Sequence, residues 1–161
     1  MLKPMTQAMY SDLIGMDYCL GSSGETGCFD CYSLIIEIYK RRGVELNLED
    51  FVVRTEEVRE AYIDKLLVDN QWVTVDENDY QPGDLMLYMF DESNAGIVDH
   101  VGVLVTTSSM IHAGAKFGVV IEPTRKYSGW HWMAIRYIGE AEDKSYGADE
   151  VVPEDWTCED E

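Results

Sequence analysis

The hydrophobic period of this 161-residue chain changes once, near Trp72. Upstream, apolar residues recur at helical spacing: Leu34, Ile35, Ile38 and Tyr39 in one segment, Val58, Tyr62 and Leu66 in another. Downstream, short apolar runs are separated by Gly, Pro, Asp and Ser, the pattern of strands and turns. The spacing predicts a short amphipathic helix over Thr6 to Met16, a main helix over Cys31 to Arg42 and another over Thr55 to Val68. It predicts strands at Trp72 to Val75, Leu85 to Phe90, Val98 to Thr106, Ser109 to Ala113, Phe117 to Ile121 and Trp132 to Ile138, with loops at Asp76 to Gly83 and Asp91 to Gly96. Lys40, Arg41, Arg42 and Gly43 suit the end of the main helix, basic residues for its dipole and glycine for a left-handed cap. Helices first and mainly antiparallel strands afterwards is the α+β arrangement.

A chain of this length buries a single core without staples, and an apolar fraction of 46% excludes wholesale disorder. The net charge of −19, from 12 basic and 31 acidic residues, argues strongly against nucleic acid as a partner. Much of the excess lies after Glu140, where Glu142, Asp143, Asp149, Glu150, Glu154, Asp155, Glu159, Asp160 and Glu161 face only Lys144. The chain therefore divides into a domain at 1–140 and an acidic tail at 141–161. Such a tail is a solvated run, yet Trp156 within it leaves docking onto the domain or a partner open. The N-terminus lacks the apolar run of a signal peptide, and no stretch approaches the ~20 apolar residues of a membrane span. The expectation is a soluble chain, made in the cytoplasm, not exported on its own signals and without membrane insertion.

The chemistry concentrates at Gly27-Cys28-Phe29-Asp30-Cys31-Tyr32-Ser33-Leu34. After a loop with Gly21, Gly24 and Gly27, Asp30 is an N-cap and Cys31 falls in the first helical turn. There the helix dipole and unpaired backbone N–H groups favour a thiolate, and a histidine beside such a thiol lowers its pKa from about 8.5 to roughly 3.5–7.5. Asp99-His100-Val101-Gly102 and Met110-Ile111-His112-Ala113 place two histidines on neighbouring strands. A cysteine, a base and an orienting group are the minimum for nucleophilic acyl transfer, with neither metal nor cofactor. Cys28 and Cys31 also form a CxxC, which opens redox and zinc readings. A glycine-rich approach instead of a βαβ strand argues against the first, and the solitary Cys158 against the second. A Cys19–Cys28 disulfide is compatible with the spacing but unnecessary for a reduced cytosolic protein.

The order of these segments resembles the NlpC-type papain-like cell-wall peptidases. The likeness is carried by Tyr18 to Leu34, by Gln81-Pro82-Gly83-Asp84-Leu85, by His100-Val101-Gly102-Val103 and by Met110-Ile111-His112-Ala113. It implies a papain-like fold with N-terminal helices packed on the sheet. It also implies Cys31 as nucleophile, His100 as general base and His112 as the third polar residue. Tyr18 matches the family's loop tyrosine, and Asp30 would meet a substrate amine besides capping the helix. Tyr32 departs from the small serine usual after the nucleophile, which reshapes the pocket for the stem peptide. His131 matches no motif and is expected to be structural. Within the family, Asp-Cys-aromatic-Ser-Leu and the helix end at Tyr39 to Leu46 resemble the peptidases of phage tail tips. That subset implies a virion tail-tip location and tail-tip protein partners.

Three functions follow as expectations. The first is a peptidoglycan endopeptidase acting on stem peptides. The second is a structural tail-assembly protein with vestigial hydrolysis, acting through its acidic tail. The third is an amidase or transacylase on a lipid or small amide, disfavoured because no hydrophobic hairpin for membrane docking is present.

Overall fold

Asp30 starts α1 (Cys31–Arg42) with a reciprocal cap: its Oδ1 accepts the Ser33 N–H at 2.8 Å, and Ser33 Oγ accepts the Asp30 N–H at 3.0 Å. Gly43 ends the helix in the left-handed region, φ 102°, its N–H donating to the Lys40 carbonyl. The boundaries are those the sequence predicts. The computed structural model of the protein describes residues 2–20, 27–46, 71–90 and 100–139, and α1 is the one α-helix among them. The expected helix over 55–68, the loop over 91–96 and the tail after 140 lie outside the described residues.

The helix expected over Thr6 to Met16 is instead two 3-10 turns, Gln7–Met9 and Ser11–Leu13. Neither start has a side-chain cap, and only Leu13 is buried, so a continuous helix would gain no apolar stripe to offset its nucleation. The broken path lets Arg41 Nη1 donate to the Met9 carbonyl at 3.1 Å while the same guanidinium meets the Asp12 carboxylate.

Two short strands, β1 (Asp17–Tyr18) and β2 (Cys28–Phe29), pair in parallel just ahead of α1. The main sheet comprises β3 (Trp72–Val75), β4 (Leu85–Tyr88), β5 (His100–Leu104), β6 (Ser109–Gly114), β7 (Gly118–Pro123) and β8 (His131–Tyr137). Its spatial order is β3-β8-β4-β5-β6-β7, and every pairing is antiparallel. The α+β expectation therefore holds. Side chains alternate across the sheet. Leu85, Leu87, Val101, Val103, Ile111 and Ala113 join Leu34, Ile35, Ile38 and Tyr39 of α1 in the main core. Met86, Tyr88, Leu104 and Met110 form a second cluster, covered by Tyr80, Phe90 and Tyr127.

The Gln81-Pro82-Gly83-Asp84 segment is a structural joint. Gly83 has φ 101°, its carbonyl accepts the buried Tyr39 O–H at 2.6 Å, and the Arg42 guanidinium lies against its Cα. A Cβ there would stand 2.5 Å from Arg42 Nη1, while Arg42 Nε is held by the Lys3 carbonyl. Gly83→Ala is expected to cost about 1–3 kcal/mol, from left-handed backbone strain and displacement of Arg42. Urea denaturation of the purified variant measures it, and a midpoint within error of wild type would contradict this account.

Candidate active site

The first half of the site is built where β1 and β2 deliver the chain to α1. Tyr18 pairs with Phe29, and the Cys19 N–H donates to the Phe29 carbonyl at 3.1 Å. In this register Asp17 lies opposite Cys28, and Cys19, two residues further on the same side, reaches it diagonally to form a disulfide with Cα atoms 5.5 Å apart. The bond that the sequence alone made unnecessary is therefore present. It takes Cys28 out of the CxxC pair and leaves Cys31, 6% exposed, as a thiol at the first helical position. Tyr18 is partly buried beside it: burial raises its phenol pKa, followed by the charges of Cys31 and Asp30. Asp30 itself is buried and engaged as the helix cap, which is the structural role expected of it. Tyr32 is partly buried and packs against the main core.

The second half lies on the sheet. His100 opens β5 and His112 sits mid-way along β6, and α1 packs against both strands. The two rings meet with His100 Nε2 2.7 Å from His112 Nδ1. Gly102, on β5, makes room for Met110: a Cβ would fall 2.6 Å from Met110 Sδ and 3.4 Å from His112 Cβ. The remaining nitrogen, His112 Nε2, is 2.8 Å from Glu122 Oε1. Glu122 also accepts the Tyr127 O–H at 2.6 Å and pairs with Lys126. Aromatic rings enclose the pair. Phe90 stacks on His100 at 4.8 Å, and Phe117 and Tyr127 flank His112 at 5.2 Å each.

Burial dominates the electrostatics. His100 is pushed down to about 3, first by burial and then by neighbouring His112, with Glu122 opposing. His112 is lowered by burial despite its bond to Glu122. Burial alone would raise Glu122, but hydrogen bonds from Lys126, Tyr127 and His112 hold it at about 2. At neutral pH the group is thus two neutral imidazoles and one carboxylate.

Stability should follow. Between pH 6.5 and about 3 the unfolded chain binds a proton at His100 that the folded chain does not, so unfolding becomes easier as pH falls. The slope is up to about 1.4 kcal/mol per pH unit for each such group. Glu122 acts in the same direction, its contribution being lost as pH falls from 4.5 towards 2. Thermal melts from pH 7 to pH 4 should show a falling midpoint, less steep in a His100→Phe variant. A flat profile would contradict the burial of a neutral imidazole.

His131 stays outside this arrangement, as expected. It opens β8 against Tyr88 and Tyr80, its buried Nε2 without a hydrogen-bond partner among the described residues. Glu122, Tyr127 and Phe90 were not singled out by the sequence. One signal could have located Glu122: a tight hairpin centred on Lys116 sets Val120 opposite His112 and Glu122 opposite Met110. Alternation then turns Glu122 to the histidine's face.

A helix that begins with cysteine, packed on an antiparallel sheet that carries paired histidines, is the papain-like α+β class. The NlpC/P60 family model matches residues 15–137, and the chain belongs to that family, whose members are generally cysteine hydrolases of the cell wall. Solved structures agree. An NlpC/P60 family protein from Bacillus cereus superposes with a TM-score of 0.61 at 23% identity, over 86% of this chain and 42% of that one. NlpC1 from Trichomonas vaginalis gives 0.60 at 26% identity, over 81% and 41%. A lipoprotein-like NLP/P60 family protein from Staphylococcus aureus gives 0.57 at 20% identity, over 83% and 41%. The chain thus spans about two fifths of the length of these structures. A search of curated proteins finds no match.

Proposed function

We propose that the protein is a cysteine peptidase that hydrolyses an amide bond in peptidoglycan stem peptides, between γ-D-glutamate and the diamino acid. The observation that carries this reading is the 2.7 Å contact between His100 Nε2 and His112 Nδ1. With Nε2 engaged, Nδ1 is the nitrogen left to take a proton from Cys31. His100 accepts that proton, and the thiolate attacks the peptide carbonyl. The tetrahedral intermediate collapses to a thioester as the imidazolium protonates the departing amine. His100 then deprotonates a water, which attacks the thioester and releases the new carboxylate and the thiol. The Cys31 N–H at the helix start and the Tyr18 hydroxyl are suited to the developing oxyanion, where one donor is worth about 3–4 kcal/mol. Asp30 and Tyr32 would flank the amine end of the stem peptide.

Two experiments test this. Purified cell wall is digested and the new termini identified by mass spectrometry; intact stem peptides would favour the structural reading, and cleavage of another amide would reassign the bond. The alkylation rate of Cys31 is followed against pH in wild type and His100→Ala. Faster alkylation near neutral pH in the wild type than in His100→Ala supports a neutral imidazole that takes the thiol proton, and identical profiles refute it.

The same reading places the protein at the tip of a phage tail, opening the wall locally while partner tail proteins anchor it. Its support is the Asp30-Cys31-Tyr32-Ser33-Leu34 variant together with Tyr39 to Leu46. Mass spectrometry of purified particles tests it: recovery with the tail fraction supports it, and absence from particles removes it.

A further inference from the structure

We propose that Glu122 is a positioning residue: its carboxylate fixes the proton positions of His112 and, through it, of His100, so that a lone pair stands at His100 Nδ1. The catalytic consequence rests on the peptidase reading above; the proton positions do not.

An ionised carboxylate only accepts hydrogen bonds, and a neutral imidazole carries one N–H and one lone pair. Glu122 is ionised, because a lysine, a phenol and an imidazole all converge on it. His112 Nε2, 2.8 Å away, must therefore carry its ring's proton, which leaves Nδ1 as an acceptor. His100 Nε2, 2.7 Å from that acceptor, must in turn be the donor, and the lone pair of His100 falls on Nδ1. No other arrangement of two neutral rings satisfies both contacts.

The surroundings hold the arrangement in place. His112 is fully buried and the Glu122 side chain is 17% exposed, so water competes little for either contact. The charged and titratable groups against Glu122 are His112, Lys126 and Tyr127, and those against the histidine pair include Tyr88 and Tyr127. Tyr127 is pushed up to about 12 by burial and by Glu122, so it stays a donor across the working range. When His100 becomes an imidazolium, its Nε2–H already points at an acceptor, and no ring or proton has to move. Without Glu122, His112 is free to carry its proton on Nδ1. Two N–H groups would then face each other, or the His100 proton would shift to Nδ1 and block it.

The test is 15N NMR of histidine-labelled protein, which separates protonated from unprotonated ring nitrogens without any turnover. In wild type, both Nε2 atoms should be protonated and both Nδ1 atoms unprotonated. An unprotonated His112 Nε2 would overturn the proposal before any variant is made. Glu122→Ala should give mixed proton positions on both rings. It should also lower kcat roughly 10- to 100-fold, the usual worth of an outer partner of a functional imidazole, with KM changed less than about threefold. Glu122→Gln keeps an acceptor oxygen and should restore the ring signature and most of kcat, with the imidazole ionisation moved to lower pH because a negative charge is gone. A folded Glu122→Ala protein with wild-type ring signals would refute the proposal. Expected ring signals in a wild type without wall hydrolysis would refute the peptidase reading and leave the positioning role standing.

Discussion

Cys31→Ala should abolish release of soluble fragments from purified cell wall, a loss of at least roughly 10³-fold in kcat, as when a covalent nucleophile is removed from other hydrolases. The change is well suited to the question because it leaves the scaffold alone. Alanine is the best helix former, and the first-turn position requires nothing of the sulfur for the Asp30–Ser33 cap. Loss of one buried sulfur in a core that retains Leu34, Ile35 and Ile38 should alter stability by only about 1 kcal/mol. Turbidity loss and product mass would be read beside a thermal melt of the same sample. Equal clearing by wild type and variant would remove Cys31 from the chemistry.

Asp84→Ala should destabilise the fold by about 3–5 kcal/mol, the cost of breaking a buried ion pair. Asp84 is 1% exposed and stands in the turn that leads into β4. Its carboxylate receives Arg136 Nε at 2.8 Å and Nη2 at 3.0 Å from β8, and the Gln81 N–H at 2.9 Å. One side chain thus ties the turn to the strand that enters the sheet between β3 and β4. Removing it takes the acceptor from the Gln81 N–H and from Arg136 Nε, and leaves the guanidinium its Nη2 bond to the Asp79 carbonyl at 2.6 Å and the Asp79 carboxylate at 3.6 Å. Arg136 is 23% exposed and recovers some hydration, which places the expected loss nearer the lower bound. The pair between Arg41 and Asp12 has comparable geometry, yet Asp12 is 59% exposed. Asp12→Ala should therefore cost below about 1 kcal/mol. Urea titrations of the two variants decide the matter, and equal losses would mean that burial does not govern these pairs.

The elements legible in the sequence are those specified by neighbours along the chain. Asp30, Ser33, the apolar stripe from Leu34 to Tyr39 and Gly43 define α1 to the residue, because capping and periodicity act within a few turns. The strands of the sheet were legible for the same reason, as period-two or apolar runs between turn residues. The failure at Thr6 to Met16 has a complementary cause. Met9, Leu13 and Ile14 have helical spacing, but only Leu13 finds a core to enter, and Arg41 (distant in sequence) takes the backbone carbonyl of Met9. Periodicity signals what could be buried, not what is.

The Cys19–Cys28 disulfide stayed an open option in the sequence and the carboxylate behind His112 was not visible there, because both depend on register. Cys19 meets Cys28 because β1 and β2 align in parallel, and Glu122 meets His112 because β6 and β7 fold about Lys116. A one-residue slip in either pairing would turn the side chains to opposite faces. Residue types and local order named the cysteine at the helix start, the two histidines and the α+β class. Which ring nitrogen faces which partner, and that Glu122 orders them, was decided only by strands packed at fixed offsets, since a hydrogen bond needs ångström placement that no linear spacing supplies.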